Sequence, residues 1–361
     1  MSHPVNFSAG PSKIPAEVLE SLAAEMMDYQ KTGLSLVEMS HRGTVYGEVH
    51  LETIALIKEL MNVPDDYSIL LLGGGATLQF SMLPMNLLPP GKSADYINSG
   101  AWAQKAIAEA RKVGEVNMIY DGADENYMNL PDPKLIKPSP NAAYLHITSN
   151  ETIGGLQWKT FPELQDVPMV VDMSSDILSR SIDVSKFSLI YAGAQKNLGP
   201  AGVSIVIIRN ELLAGSPKNL GSYLSYAVHA KANSLYNTPP VFPIWGMKLV
   251  LEGVKRQGGA EAVTRANTQK ATKLYEAIDA SDEFYRCPVN KSVRSDMNVV
   301  WRLQNEALEK QFIEEATNAK LIGLKGHRSV GGCRASIYNA LTVEDVNKLI
   351  SFMADFLAKN R

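Results

Sequence analysis

The stretch from Ser188 to Gly202 constrains this chain more than any other. Leu189, Ile190 and Tyr191 form an apolar run of the kind that makes a buried strand. Small residues follow, then Gln195 and Lys196. Asn197, Gly199, Pro200 and Gly202 turn the chain, and Val203 to Ile208 reads as the next strand. A lysine just past the end of a buried strand, among small residues, lies where a ligand can reach it. Desolvation there disfavours the ammonium and leaves an amine able to act as a nucleophile. A solvated turn lysine is the plainer alternative, and the rest of the chain must decide.

A chain of 361 residues suggests two packed units. Hydrophobic residues make up 45% and charged residues 20%, which fits a large core and not a disordered chain. The net charge of −3 points to neither nucleic acid nor an anionic membrane as partner. Any anion must be held by a local cluster of bases. Cys287 and Cys333 are the two cysteines, with no CxxC pattern, which argues against a disulfide framework or a metal site and fits a reducing compartment. Met1 to Phe7 lacks the basic and apolar regions of a secretory signal, and no apolar run approaches the roughly 20 residues of a membrane span. A cytoplasmic address is expected.

In chain order, Asn6 to Pro11 is a turn-rich opening, and Ala16 to Gln30 has the spacing of an amphipathic helix. His41 and Arg42 stand together between Ser40 and Gly43, as an anion-meeting loop or a solvated one. Tyr46 to Met61 resumes a helix, and Tyr67 to Leu72 is a buried strand. Gly73, Gly74 and Gly75 then open a helix through Leu88. Strand, glycines and helix point backbone N–H groups and a positive helix end at a phosphate, and the Thr77 hydroxyl adds a donor. A tight turn without a ligand is the bland reading, and the Gly-Lys-Ser/Thr ending of a P-loop is missing.

Trp102 heads the helix Ala103 to Val113, where an indole can stack on a flat ring or simply join the core. Ala142 to Thr148 and Val167 to Val171 are further strands, the second ending in Asp172. In a parallel sheet Asp172 and Lys196 lie on the same ligand-binding edge. Later the pattern changes. Met297 to Leu303 alternates like a half-exposed strand, Glu306 to Ala319 reads as a helix, Gly323 to Ile337 combines a glycine-rich loop with a strand, and Val343 to Lys359 closes as a helix. The expected division is a large domain over 16–258 and a small one from 1–15 with 259–361.

Together these parts supply a site for pyridoxal phosphate. Lys196 offers the amine, Asp172 can keep a pyridine nitrogen protonated, Trp102 can lie on the ring, and Gly74 to Thr77 can hold the phosphate. The expected fold class is α/β, a mostly parallel sheet flanked by helices with a smaller C-terminal α/β domain.

Along its whole length the chain resembles the phosphoserine aminotransferase family of fold-type-I, class-V pyridoxal-phosphate enzymes. The stretches carrying the likeness include Asn6–Pro11, Met39–Arg42, Gly73–Phe80, Ser99–Trp102, Ser149–Ile153, Val171–Ser175, Ala194–Asn197, Tyr236–Pro239 and Gly326–Ala335. The resemblance implies Lys196 as the Schiff-base lysine and proton shuttle, and Asp172 as the partner of the pyridinium. It implies Thr152 bonded to the phenolic oxygen, Trp102 stacked, and Ala76, Thr77 and Gln195 on the phosphate, with no metal. Asn237 and Thr238 are implied to reach that phosphate from the second copy of a homodimer.

The implied substrates are glutamate and 3-phosphohydroxypyruvate, giving 2-oxoglutarate and O-phosphoserine by ping-pong transamination. Arg334 is implied for the α-carboxylate. His41 and Arg42 from the partner copy, with His327 and Arg328, are implied for the distal anion. Some members carry Arg where Thr77 stands and Ser where Ala9 stands, so one charged phosphate contact is replaced here by a hydroxyl. Two rivals remain: a lyase or desulfurase on the same fold, for which Cys333 is the thiol to examine, and a nucleotide-binding module without a Schiff base.

Overall fold

The structure is a computed structural model and describes residues 3–361. A seven-stranded sheet runs in the order Tyr67–Leu72, Ser204–Arg209, Leu189–Gly193, Met169–Asp172, Ala142–Thr148, Ser93–Asn98, Glu115–Asp121. Ser204–Arg209 is antiparallel to both of its neighbours, and the other adjacent pairs are parallel. Both faces are covered by helices, as a mostly parallel sheet requires.

The period of two along the strands sorts the core. Ile69, Leu71, Ile205 and Ile207 pack with Ile57, Met247 and Leu251 from the helices Thr44–Leu60 and Val241–Arg256. Leu70, Leu72, Val206 and Ile208 pack on the opposite face with Phe80, Leu83 and Ile107 from the helices Gly75–Leu87 and Ala101–Ala110.

A second core gathers the chain start with the C-terminal third. Val5 and Phe7 join Leu274, Trp301, Phe312, Ala335, Val346 and Phe356. Val5–Asn6 pairs in parallel with Leu321–Ile322. The helix Gly259–Asp279 spans both cores, with Val263 in the main one and Leu274 in the second.

Two local expectations are corrected and one strand is added. The strand Asn298–Trp301 is buried throughout and not half-exposed, because Val300 packs into the main core while Val299 and Trp301 pack into the second. The first helix ends at Glu25 instead of Gln30, and Asp28 takes the Gly33 N–H at 2.7 Å in a local turn that competes with the helix. Strand Glu115–Asp121 was not anticipated: it is an edge strand paired on one side only, so it carries polar residues without a clean alternation.

Candidate active site

The parallel register sets Thr148 opposite Asp172 and Asp172 opposite Tyr191, so the strand ends carrying the polar residues form one row. Lys196 follows that row on a turn in which Leu198 and Gly199 both donate to the Ala194 carbonyl. The chain start clamps this turn: Ser12 donates through Oγ to the Lys196 carbonyl at 2.6 Å and through its N–H to Gln195 at 3.0 Å.

The Lys196 side chain is 9% exposed, and Nζ donates to Thr152 Oγ1 at 2.8 Å. Nζ also lies 5.4 Å from the centre of the Trp102 ring. Burial pulls the amine down to about 8, against the upward pull of Asp172 and Glu151; Arg334 adds to the lowering. Burial raises the Asp172 carboxyl, and the Ser174 contacts and Lys196 hold it back. The Ser174 N–H reaches Asp172 Oδ1 at 2.8 Å.

Lys196 and Asp172 line one cavity of about 290 Å³ together with Ala76, Thr77, Trp102 and Thr152. Gln195, His327 and Arg334 complete the sequence-derived residues found there. The cavity end lined by Gly75, Ala76 and Thr77 follows Gly74, whose φ of 88° suits glycine and where a Cβ would meet Leu78 at 2.6 Å. The helix beginning at Gly75 then offers its first N–H groups to the cavity end lined by Ala76 and Thr77. Arg334 stands on the strand Cys333–Ser336, donates through Nη1 to the Thr152 carbonyl at 3.2 Å, and leaves Nε buried without a partner. His327 is held low by burial and by Arg334, Arg328 and Lys105 around it.

Five sequence-derived residues do not line the cavity. Arg328 is exposed beside His327; His41 is half-buried and Arg42 exposed on their turn; Asn237 is half-buried and Thr238 exposed on another. A single chain does not bring these five residues into the cavity with Lys196. Cys333 is buried on a strand, and burial raises its thiol well above the ordinary range, so it lacks the reactive thiolate a desulfurase needs.

The residues present fit pyridoxal phosphate. A buried amine and a buried acid share a cavity with an indole and a helix N-terminus. Trp102 Nε1, Thr148 Oγ1 and Arg334 Nε, all on lining residues, are buried with no hydrogen-bond partner among the described residues. Among the described residues, no group of three or more His, Cys, Asp or Glu is placed to hold a metal ion.

Sequence reasoning passed over Glu151, Asn150 and Ser174. Asn150 donates to Ser175 Oγ at 2.8 Å and to Asn298 Oδ1 at 2.7 Å, linking the sheet edge to the second core. The signal was the unbroken polar run Ser149, Asn150, Glu151, Thr152 straight after an apolar strand.

This sheet, with a strand-edge lysine sharing a cavity with a buried acid, defines a fold-type-I pyridoxal-phosphate enzyme. The class-V aminotransferase family model matches residues 5–349. The phosphoserine aminotransferase of Bacillus subtilis (strain 168) is 50% identical over 360 residues, covering 100% of both chains. That of Geobacillus kaustophilus (strain HTA426) is 53% identical over 356 residues, 99% of each. Among solved structures, the phosphoserine aminotransferase from Bacillus circulans subsp. alkalophilus superposes with a TM-score of 0.98 at 50% identity, covering 99% of each chain. A pyridoxal-phosphate-bound phosphoserine aminotransferase from Trichomonas vaginalis superposes with a TM-score of 0.90 at 36% identity, covering 98% of this chain and 100% of that one. The chain belongs to the class-V aminotransferases and, within them, to the phosphoserine aminotransferase family.

Proposed function

We propose that this enzyme transfers the amino group of glutamate to 3-phosphohydroxypyruvate, forming O-phosphoserine and 2-oxoglutarate, in serine biosynthesis. One observation carries the reading: the depressed Lys196 amine and the buried Asp172 carboxyl line the same cavity. Pyridoxal phosphate, when bound, supplies a ring that accepts the electron pair left at the substrate Cα.

The chain's own groups do the rest. Lys196 Nζ, neutral above pH about 8, takes the proton that leaves Cα. Thr152 Oγ1 accepts from Nζ and holds it near the Trp102 ring. Asp172, whose carboxylate accepts from the Ser174 N–H, is the acid available to a pyridine nitrogen. Ala76, Thr77 and Gln195 are the phosphate ligands on this chain, and Thr77 contributes a neutral hydroxyl. Arg334 receives the α-carboxylate, where a planar guanidinium matches a planar acid. Its orphaned Nε is a donor still to be used.

His327 and Arg328 form half of the distal anion site. His41 and Arg42 complete it from the second copy of a homodimer, and Asn237 and Thr238 reach the cofactor phosphate the same way. These four lie on turns outside the single-chain cavity, whereas Arg328, also outside it, sits next to the lining residue His327. A cluster of Arg and His holds a γ-carboxylate or a phosphate equally, so one pocket serves both half-reactions. The enzyme works in the cytoplasm, and among the described residues no helix is long and apolar enough to cross a membrane.

The test is a coupled assay of phosphoserine and 2-oxoglutarate, with borohydride reduction of the loaded protein and peptide mapping. Turnover, with a pyridoxyl group on Lys196, is expected. A label on another residue, or none, refutes the reading.

A further inference from the structure

The helix Ala101–Ala110 begins without a cap of its own. Its Ncap is Gly100, which has no side chain to accept the first N–H groups. The missing acceptor comes from elsewhere in the chain. Glu151 accepts the Trp102 N–H on Oε2 at 3.2 Å, and on Oε1 the Ala103 N–H at 3.0 Å and the Ser99 hydroxyl at 3.3 Å. The carboxyl is 1% exposed, a costly place for an acid without such donors. Gly100 makes room for it, since a Cβ there would lie 2.8 Å from Glu151 Cδ.

The next residue in the chain is Thr152. Its hydroxyl accepts from Lys196 and its carbonyl from Arg334. Two successive residues thus touch the Trp102 helix, the reactive amine and the substrate arginine. Glu151 holds the backbone that carries the indole, and Thr152 holds Nζ. Burial pushes the Glu151 carboxyl up to about 7, restrained by the Ala103 and Trp102 N–H groups.

We propose that Glu151 is a positioning residue of the amino-transfer site: it caps the Trp102 helix from the strand Asn150–Glu151 and so sets the indole face against which the cofactor ring lies. The inference rests on the pyridoxal-phosphate reading and adds a residue to which the family likeness assigned no role. Glu151 acts through Trp102 and touches no reacting atom.

The experiment compares Glu151→Gln, Trp102→Ala and the double variant. In Glu151→Gln, which keeps the shape but loses an acceptor, backbone amide exchange in the peptide beginning at Trp102 is expected to speed up about tenfold in the cofactor-free chain. Retention of pyridoxal phosphate, measured by dialysis and absorbance, is expected to weaken about tenfold in Glu151→Gln and by less than about twofold when the same change is made on Trp102→Ala. Gly100→Ala, which pushes on the same carboxyl, should reproduce both effects and serves if Glu151→Gln does not fold. Unchanged exchange at Trp102 overturns the proposal. So does a loss of cofactor retention that persists in full without the indole, because Glu151 would then act by another route. A wild-type chain that holds no pyridoxal phosphate sinks the proposed function, while the exchange rates still decide what Glu151 holds.

Discussion

Among the described residues two lysines are buried, and they do opposite things. Lys196 has one hydrogen-bond acceptor, the Thr152 hydroxyl, and faces a cavity. Lys270 is 1% exposed and gives all three of its N–H bonds to backbone carbonyls, Ile337 at 2.9 Å and Tyr338 and Leu341 at 2.8 Å. Burial lowers both, to about 8 and about 7 respectively. A depressed amine therefore does not by itself single out Lys196, the lysine proposed to react, from Lys270. What separates them is saturation: Lys270 is a closed clamp on the turn after the Arg334 strand, whereas Lys196 keeps N–H capacity for something not in the chain.

The comparison breaks first if Lys196→Ala keeps activity. Turnover of phosphoserine with 2-oxoglutarate is expected to fall by about 10⁴-fold or more, with the fold retained by circular dichroism. The converse change, Lys270→Met, strands three buried carbonyls and is expected to cost about 4 kcal/mol in urea unfolding, while turnover per folded molecule stays within about threefold. A large loss of turnover at full stability would place Lys270 in the chemistry after all.

Asp172→Asn sharpens the other side of the cavity. It keeps the size and loses the charge, and turnover is expected to drop by about 10²–10³-fold with little change in melting temperature. The smallest effect is a pH slope. Lys196 has a folded value near 8 and an ordinary value of 10.5, so between those limits the unfolded chain binds more protons. Stability of the cofactor-free protein should thus rise with pH across that window. Lys196→Met should flatten that part of the curve, by about 3 kcal/mol over the window. The rate at which the cofactor-free chain captures pyridoxal phosphate should likewise climb with pH and level off above about 8, because the neutral amine is the reacting form.

Part of this was legible beforehand for a physical reason. Tyr67–Leu72 and Leu189–Gly193 are apolar runs buried on both faces, and glycines or small residues follow each, so strand and turn are written locally. Glu115–Asp121 was illegible because an edge strand has only one partner to satisfy and little apolar pattern to show. Asn298–Trp301 misled because alternation implies one wet face, while here each face meets a different core. The corresponding gap in the site was Glu151: an acid in a polar run looks like solvent-facing loop until the distant helix it caps is known.

Sequence alone determined most of the elements and pointed to the lysine, the acid, the indole and the glycine-rich helix start, since each depends on residues close together in the chain. Only the tertiary structure decided that they share one cavity, that Lys270 is a clamp, and that Gly100 and Glu151 form one joint. Those facts depend on burial and on pairs far apart in sequence, such as Glu151 with Ala103 and Lys270 with Leu341, which no local pattern encodes.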